Sequence, residues 1–156
     1  MRPGEGGANA VAGNVLLVSA NADLIEVVEQ AFGRTEKVLF VAHDQLEAIL
    51  FLDREPCDAV LLEVEKPGEE GFAFCGVVRR SWDVAVVLLL RPAAQKDVVL
   101  GFQMGADTYL NVPFDGRELT ARVSALVKRV QLARARAERR PLSGMPPAWR
   151  TVENKG

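Results

Sequence analysis

Histidine and tyrosine each occur once in this 156-residue chain, and tryptophan and cysteine twice each. His43 stands next to Asp44 at a helix start with no candidate nucleophile beside it, so it reads as a surface residue rather than a catalytic base. Cys57 and Cys75 form no CxxC pair and no His/Cys cluster accompanies them, which argues against a zinc site or redox pair and for two reduced thiols. Long apolar runs are missing too: no segment approaches the roughly 18 residues of a membrane helix. The start, Met1 to Gly13, has no basic opening followed by an apolar stretch. A cytoplasmic location is the expectation. The net charge of −2 gives the whole molecule no electrostatic case for nucleic acid or membrane. No glycine-rich phosphate loop follows the first apolar run, where Ser19-Ala20-Asn21-Ala22 stands, and that counts against a nucleotide-binding enzyme.

What is present is ordinary globular material, 49% hydrophobic and 26% charged, in a length that suits one domain. Residues 1–13 read as a flexible leader. Asn14 to Val18 is a short continuous apolar run, the pattern of a strand buried on both faces. Asn21 is a good N-cap for a helix carrying Leu24, Val27, Val28, Ala31 and Phe32, stopped by Gly33. The unit then repeats. Lys37 to Ala42 is a second strand, and Asp44 caps a helix with Leu46, Ile49, Leu50 and Leu52. Asp58 to Val64 is a third strand, and a loop over 65–71 leads to a helix through Trp82. Val84 to Leu90 is the fourth strand, followed by a helix from Ala94 to Met104 that Gly105 ends. Asp107 to Asn111 is the fifth strand, and Asp115 caps a final helix with Leu119, Val123, Leu126, Val127 and Val130 on one face. Strands alternating with helices predict an α/β fold, a doubly wound parallel sheet covered on both sides. Ligands in such sheets bind beyond the carboxyl ends of the strands. Here those ends carry Ser19 and Ala20, Glu63, Leu90 and Arg91, and Asn111 and Val112.

Four stretches, in order, carry a resemblance. They are Val15-Leu16-Leu17-Val18; Asp58 to Glu63 with Lys66-Pro67-Gly68 and Gly71-Phe72; Gly105-Ala106-Asp107-Thr108-Tyr109-Leu110; and Val112-Pro113-Phe114 with Arg117-Glu118-Leu119. From about Asn14 to Val130 the chain resembles the receiver domain of two-component response regulators, in a degenerate, pseudo-receiver form. The resemblance implies a flavodoxin-like (β/α)5 sheet with strand order 2-1-3-4-5. It also implies a role in phosphorelay signal transduction.

The chemistry of that family does not transfer. A receiver holds Mg²⁺ with an acidic pair after the first strand together with the acceptor aspartate, because hard cations want carboxylate oxygens. The pair here is Ser19 and Ala20, and the acceptor position is Glu63. The switch hydroxyl is replaced by Leu90 and the pairing lysine by Val112. Phosphoryl transfer depends on positioning and on cations that neutralise developing charge. We therefore expect no catalytic residues, no metal, no cofactor and no enzymatic activity. Ala20, Leu90 and Val112 predict a more apolar pocket around Glu63, whose carboxylate then needs water or a cation; Arg91 is within topological reach.

Function should then come from contacts with another protein. The resemblance implies the Ala94–Val130 face, and Tyr109, Arg117 and Arg122 are the candidate anchors on it, since interface anchors are often Tyr and Arg. Between Asp115 and Arg140 eight Lys/Arg stand against three Asp/Glu, so this stretch carries 8 − 3 = +5 and the rest −2 − 5 = −7. The alternative reading is therefore a basic-helix nucleic-acid-binding or adaptor protein; nucleic acid is disfavoured because no output motif follows. Residues 131–140 read as a helical extension with too little apolar area to pack on their own domain, expected to order against a copy of the chain or an acidic partner. The tail, 141–156, holds three prolines and two glycines and reads as disordered.

Overall fold

The computed structural model describes residues 12–139, so most of the expected leader and all of the expected disordered tail lie outside the described residues. The elements run β1 (Gly13–Val18), α1 (Ala22–Phe32), β2 (Lys37–Ala42), α2 (Gln45–Arg54), β3 (Ala59–Val64) and α3 (Gly68–Ser81). They continue with β4 (Ala85–Leu90), a 3₁₀ segment (Pro92–Asp97), α4 (Val98–Gln103), β5 (Thr108–Asn111) and α5 (Gly116–Arg139). Every strand pair is parallel and the order is β2-β1-β3-β4-β5, the flavodoxin-like arrangement expected.

The apolar runs explain the sheet. All six residues of β4 are buried, because helices cover both of its faces. Leu16, Val60, Leu62, Leu88 and Leu90 form one core with Leu52 of α2 and Phe72 and Val78 of α3. The alternate residues, Val15, Leu17, Leu61, Val87 and Leu89, form the other with Leu24 and Val28 of α1 and Leu119 and Val123 of α5. The helix starts are capped as the sequence suggests. Asn21 Oδ1 accepts from the Leu24 N–H at 2.9 Å, and Asp44 Oδ1 from the Glu47 N–H at 2.8 Å. Asp115 Oδ1 accepts from the Arg117 N–H at 2.8 Å. His43 is exposed, its Nδ1 3.2 Å from Glu47 Oε1.

Three expectations are corrected. The loop after β3 is shorter than 65–71, since α3 begins at Gly68; at Gly71 a β-carbon would stand 1.7 Å from the Lys66 carbonyl oxygen, so only glycine lets the chain double back there. The helix expected over Ala94–Met104 is a 3₁₀ segment followed by the short α4, and Asp97 at their junction accepts from the Gly68 N–H at 2.7 Å. The third correction concerns the helical extension. At about 1.5 Å per residue, the 24 residues of α5 span about 36 Å and overshoot strands of about 20 Å. The overhang nevertheless returns to its own domain. Arg134 donates to Asp58 Oδ1 at 2.7 Å, to the Cys57 carbonyl at 2.9 Å and to the Asp83 carbonyl at 2.5 Å. Gln131 Nε2 donates to the Ala12 carbonyl at 2.8 Å. The tie is polar, so an argument from apolar area alone could not find it. Asp58 also accepts from the Asn14 N–H at 2.9 Å, so one carboxylate joins β1, the approach to β3 and α5.

Both cysteines are buried, and burial pushes each thiol up to about 11. Among the described residues no helix is long and apolar enough to cross a membrane.

Candidate functional site

The register places Glu63 of β3 beside Leu89 of β4, and Ser19 follows β1 directly. Three chain segments therefore meet at the carboxyl edge of the sheet. Glu63 points into this meeting point with 5% of its side chain exposed. Its Oε1 accepts from the Ser19 hydroxyl at 2.7 Å, and its Oε2 accepts from Arg91 Nε at 2.6 Å. The Ser19 oxygen in turn accepts from the Asn21 N–H at 3.0 Å. The cation is placed by backbone pairing, since the Arg91 N–H donates to the Val64 carbonyl at 2.9 Å. Charge-assisted bonds of this length are strong and directional. The carboxylate is neither isolated nor free.

A cavity of about 220 Å³ opens beside it, lined among others by Ser19, Ala20, His43, Glu63, Glu65 and Phe74. The predicted apolar pocket does not form as expected. Leu90 is fully buried in the core under α2 and α3, and Val112 packs against the core on the opposite side of the sheet. Neither lines the cavity, and Ala20 alone of the three does. The alternation of side chains along β4 sends Leu90 inward and leaves Arg91 to meet Glu63.

The donor set does not fit Mg²⁺. Ser19 and Ala20 supply no carboxylate, and both oxygens of Glu63 already accept hydrogen bonds from within the chain. Among the described residues no three His, Cys, Asp or Glu side chains are grouped so as to hold a metal ion.

At the far edge, Tyr109 of β5 is half-buried and packs edge-on against Phe102 of α4, with ring centroids 5.8 Å apart. Phe102 and its neighbour Val99 are 46% and 65% exposed. Arg122 is engaged within the chain, donating to Thr108 Oγ1, the Tyr109 carbonyl and Glu118 Oε1. Arg117 is exposed. Three participants escaped the sequence reading: Ser19 as a partner of Glu63, Arg134 as an anchor, and the exposed Val99–Phe102 pair. The last had a signal in the apolar stretch Val98-Val99-Leu100, more apolar than one buried face of a short helix needs.

The response regulator receiver domain family matches residues 15–124. The chain belongs to that family. It is similar to a response regulator from Thermotoga maritima at 26% identity, over 75% of this chain and 98% of that one, with a TM-score of 0.65. The receiver domain of a Francisella response regulator matches at 24% identity, 75% and 98% coverage and a TM-score of 0.66. The receiver domain of a histidine kinase from Syntrophus aciditrophicus matches at 24%, 76% and 92%, with 0.66; these last two speak for the fold. This receiver domain of two-component signal transduction thus has the five-stranded parallel sheet, with Ser19, Glu63 and Arg91 brought together at its carboxyl edge.

Proposed function

We propose that this receiver is a phosphorylation-independent signalling module that acts by binding another protein and is not an enzyme. The observation that carries the reading is the satisfied carboxylate: Ser19 and Arg91 occupy the two oxygens of Glu63 at 2.7 and 2.6 Å. A phosphorylated acceptor would add negative charge at the end of β3 and draw the end of β4 towards it. Here the charge belongs to a side chain, and the first residue after β4 is already on it. The segment that leads into α4 is therefore held in one arrangement, and α4, β5 and the start of α5 present a constant face. Val99, Phe102, Tyr109 and Arg117 are its anchors, and a second protein chain is its occupant.

The test is treatment with acetyl phosphate and Mg²⁺ followed by intact-mass measurement, alongside capture of a partner from the native host. We expect no adduct, equal capture with and without the phosphodonor, and weaker capture by Glu63→Gln. A stoichiometric phosphate on Glu63 overturns the reading; equal capture by Glu63→Gln removes the role of the charge.

A further inference from the structure

Helices α1 and α5 share one core on one side of the sheet, Leu24, Val28 and Phe32 packing with Leu119, Val123, Leu126 and Val127. Their other sides face solvent. On α1 that side carries Asp23, Glu26 and Glu29, and no Lys or Arg occurs between Ala22 and Phe32. Val27 of the same helix is 45% exposed and lines a groove with Arg34 and with Gly116, Arg117 and Thr120 at the start of α5. On the C-terminal half of α5 it carries Lys128, Arg129, Arg136 and Arg139, with Leu132 46% exposed among them. Among the described residues Asp23, Glu26, Glu29, Lys128, Arg136 and Arg139 enter no ion pair, while Arg129 lies 3.5 Å from Asp107. The Arg134 tie holds this half of α5 in place, so the basic row has a fixed position relative to the acidic one.

One surface thus bears an acidic helix and a basic helix, each with an exposed apolar side chain. Such a surface is complementary to itself under a two-fold rotation, which brings the acids of one copy to the cations of the other, twice. A nucleic acid carries negative charge alone and would match only the basic row, so the presence of both signs favours a protein that carries both. We propose that the outward faces of α1 and the C-terminal half of α5 form a two-fold contact between two copies of this chain, with Val27 and Leu132 as its apolar anchors. This contact is separate from the α4–β5 face and stands or falls without it.

The full chain is measured by sedimentation velocity and light scattering across ionic strength. We expect a dimer at low salt that weakens as salt rises, because the screening length falls from about 30 Å at 0.01 M to about 3 Å at 1 M. Glu26→Lys with Glu29→Lys, and separately Lys128→Glu with Arg136→Glu, should each weaken self-association by at least about tenfold through like-charge opposition. Mixing the two variants should restore a dimer, since the mixed pair regains opposite charges at both contacts. That rescue separates loss of the interface from loss of fold. A wild-type chain that stays monomeric, a mixture that fails to associate, or a ladder of higher masses in place of a dimer overturns the proposal. So does salt-sensitive binding of duplex DNA by the full chain without self-association.

Discussion

Truncating Arg91 to alanine strands a carboxylate. Glu63 would keep the Ser19 hydroxyl on Oε1, but Oε2 would lose the donor now 2.6 Å away, on a side chain only 5% exposed. Breaking a fully buried ion pair from one side costs about 3–5 kcal/mol, and breaking an exposed one about 0–1 kcal/mol. Arg91 is 26% exposed, so water would partly replace it. The value for a lost hydrogen bond to a charged group, about 1.5–3 kcal/mol, is the appropriate scale. Urea unfolding at neutral pH reads this directly. With a slope of about 1–3 kcal/mol per molar, the midpoint should fall by about 1 M. The double variant Arg91→Ala with Glu63→Gln should recover at least about 1 kcal/mol relative to additivity, because a neutral amide does not need the cation. A loss below about 0.5 kcal/mol for Arg91→Ala, or strict additivity in the cycle, would refute the view that Arg91 neutralises Glu63.

Three further outcomes are expected. Arg134→Ala removes bonds to Asp58 and to the Cys57 and Asp83 carbonyls and should cost about 2 kcal/mol, with faster amide exchange over 131–139; unchanged exchange there would show that the tie is idle. Val99→Ser with Phe102→Ser should cost about 1–2 kcal/mol through the lost Phe102–Tyr109 packing, leaving the chain folded, while weakening partner capture at least about tenfold; equal capture would exclude α4 from the contact. The thiols set an alkaline limit. Because burial raises them from 9.0 to about 11, the stability they contribute is fully present below about 9 and is lost as pH rises through about 11. Cys57→Ala with Cys75→Ala should flatten that alkaline decline in a pH series of thermal unfolding.

The sheet was legible because its cause is local. Runs such as Val84 to Leu90 are apolar at every position, and only a strand covered on both faces tolerates that pattern. Asn21, Asp44 and Asp115 marked helix starts because a cap is satisfied by an N–H two or three residues away. The identity of Glu63, Ser19 and Ala20 at the strand ends was legible for the same reason: register along one strand is a matter of counting. What α4 becomes was not, because Asp97 serves the distant Gly68 N–H and no short-range signal records that.

What the sequence by itself determined is therefore the order of strands and helices and which residues stand at the strand ends. The tertiary structure alone decided what those residues touch. Leu90 and Val112 were expected to line one pocket with Glu63, yet they enter cores on opposite faces of the sheet. Ser19 lies 44 residues from Glu63 and Arg91 lies 28, and only parallel pairing of β1, β3 and β4 brings the three together. Arg134 lies 76 residues from Asp58, and its bond forms only because α5 outruns the strands it covers. Polar groups so far apart in the chain leave no periodic trace in it. Each must find its partner once buried, and the folded backbone decides which partner that is.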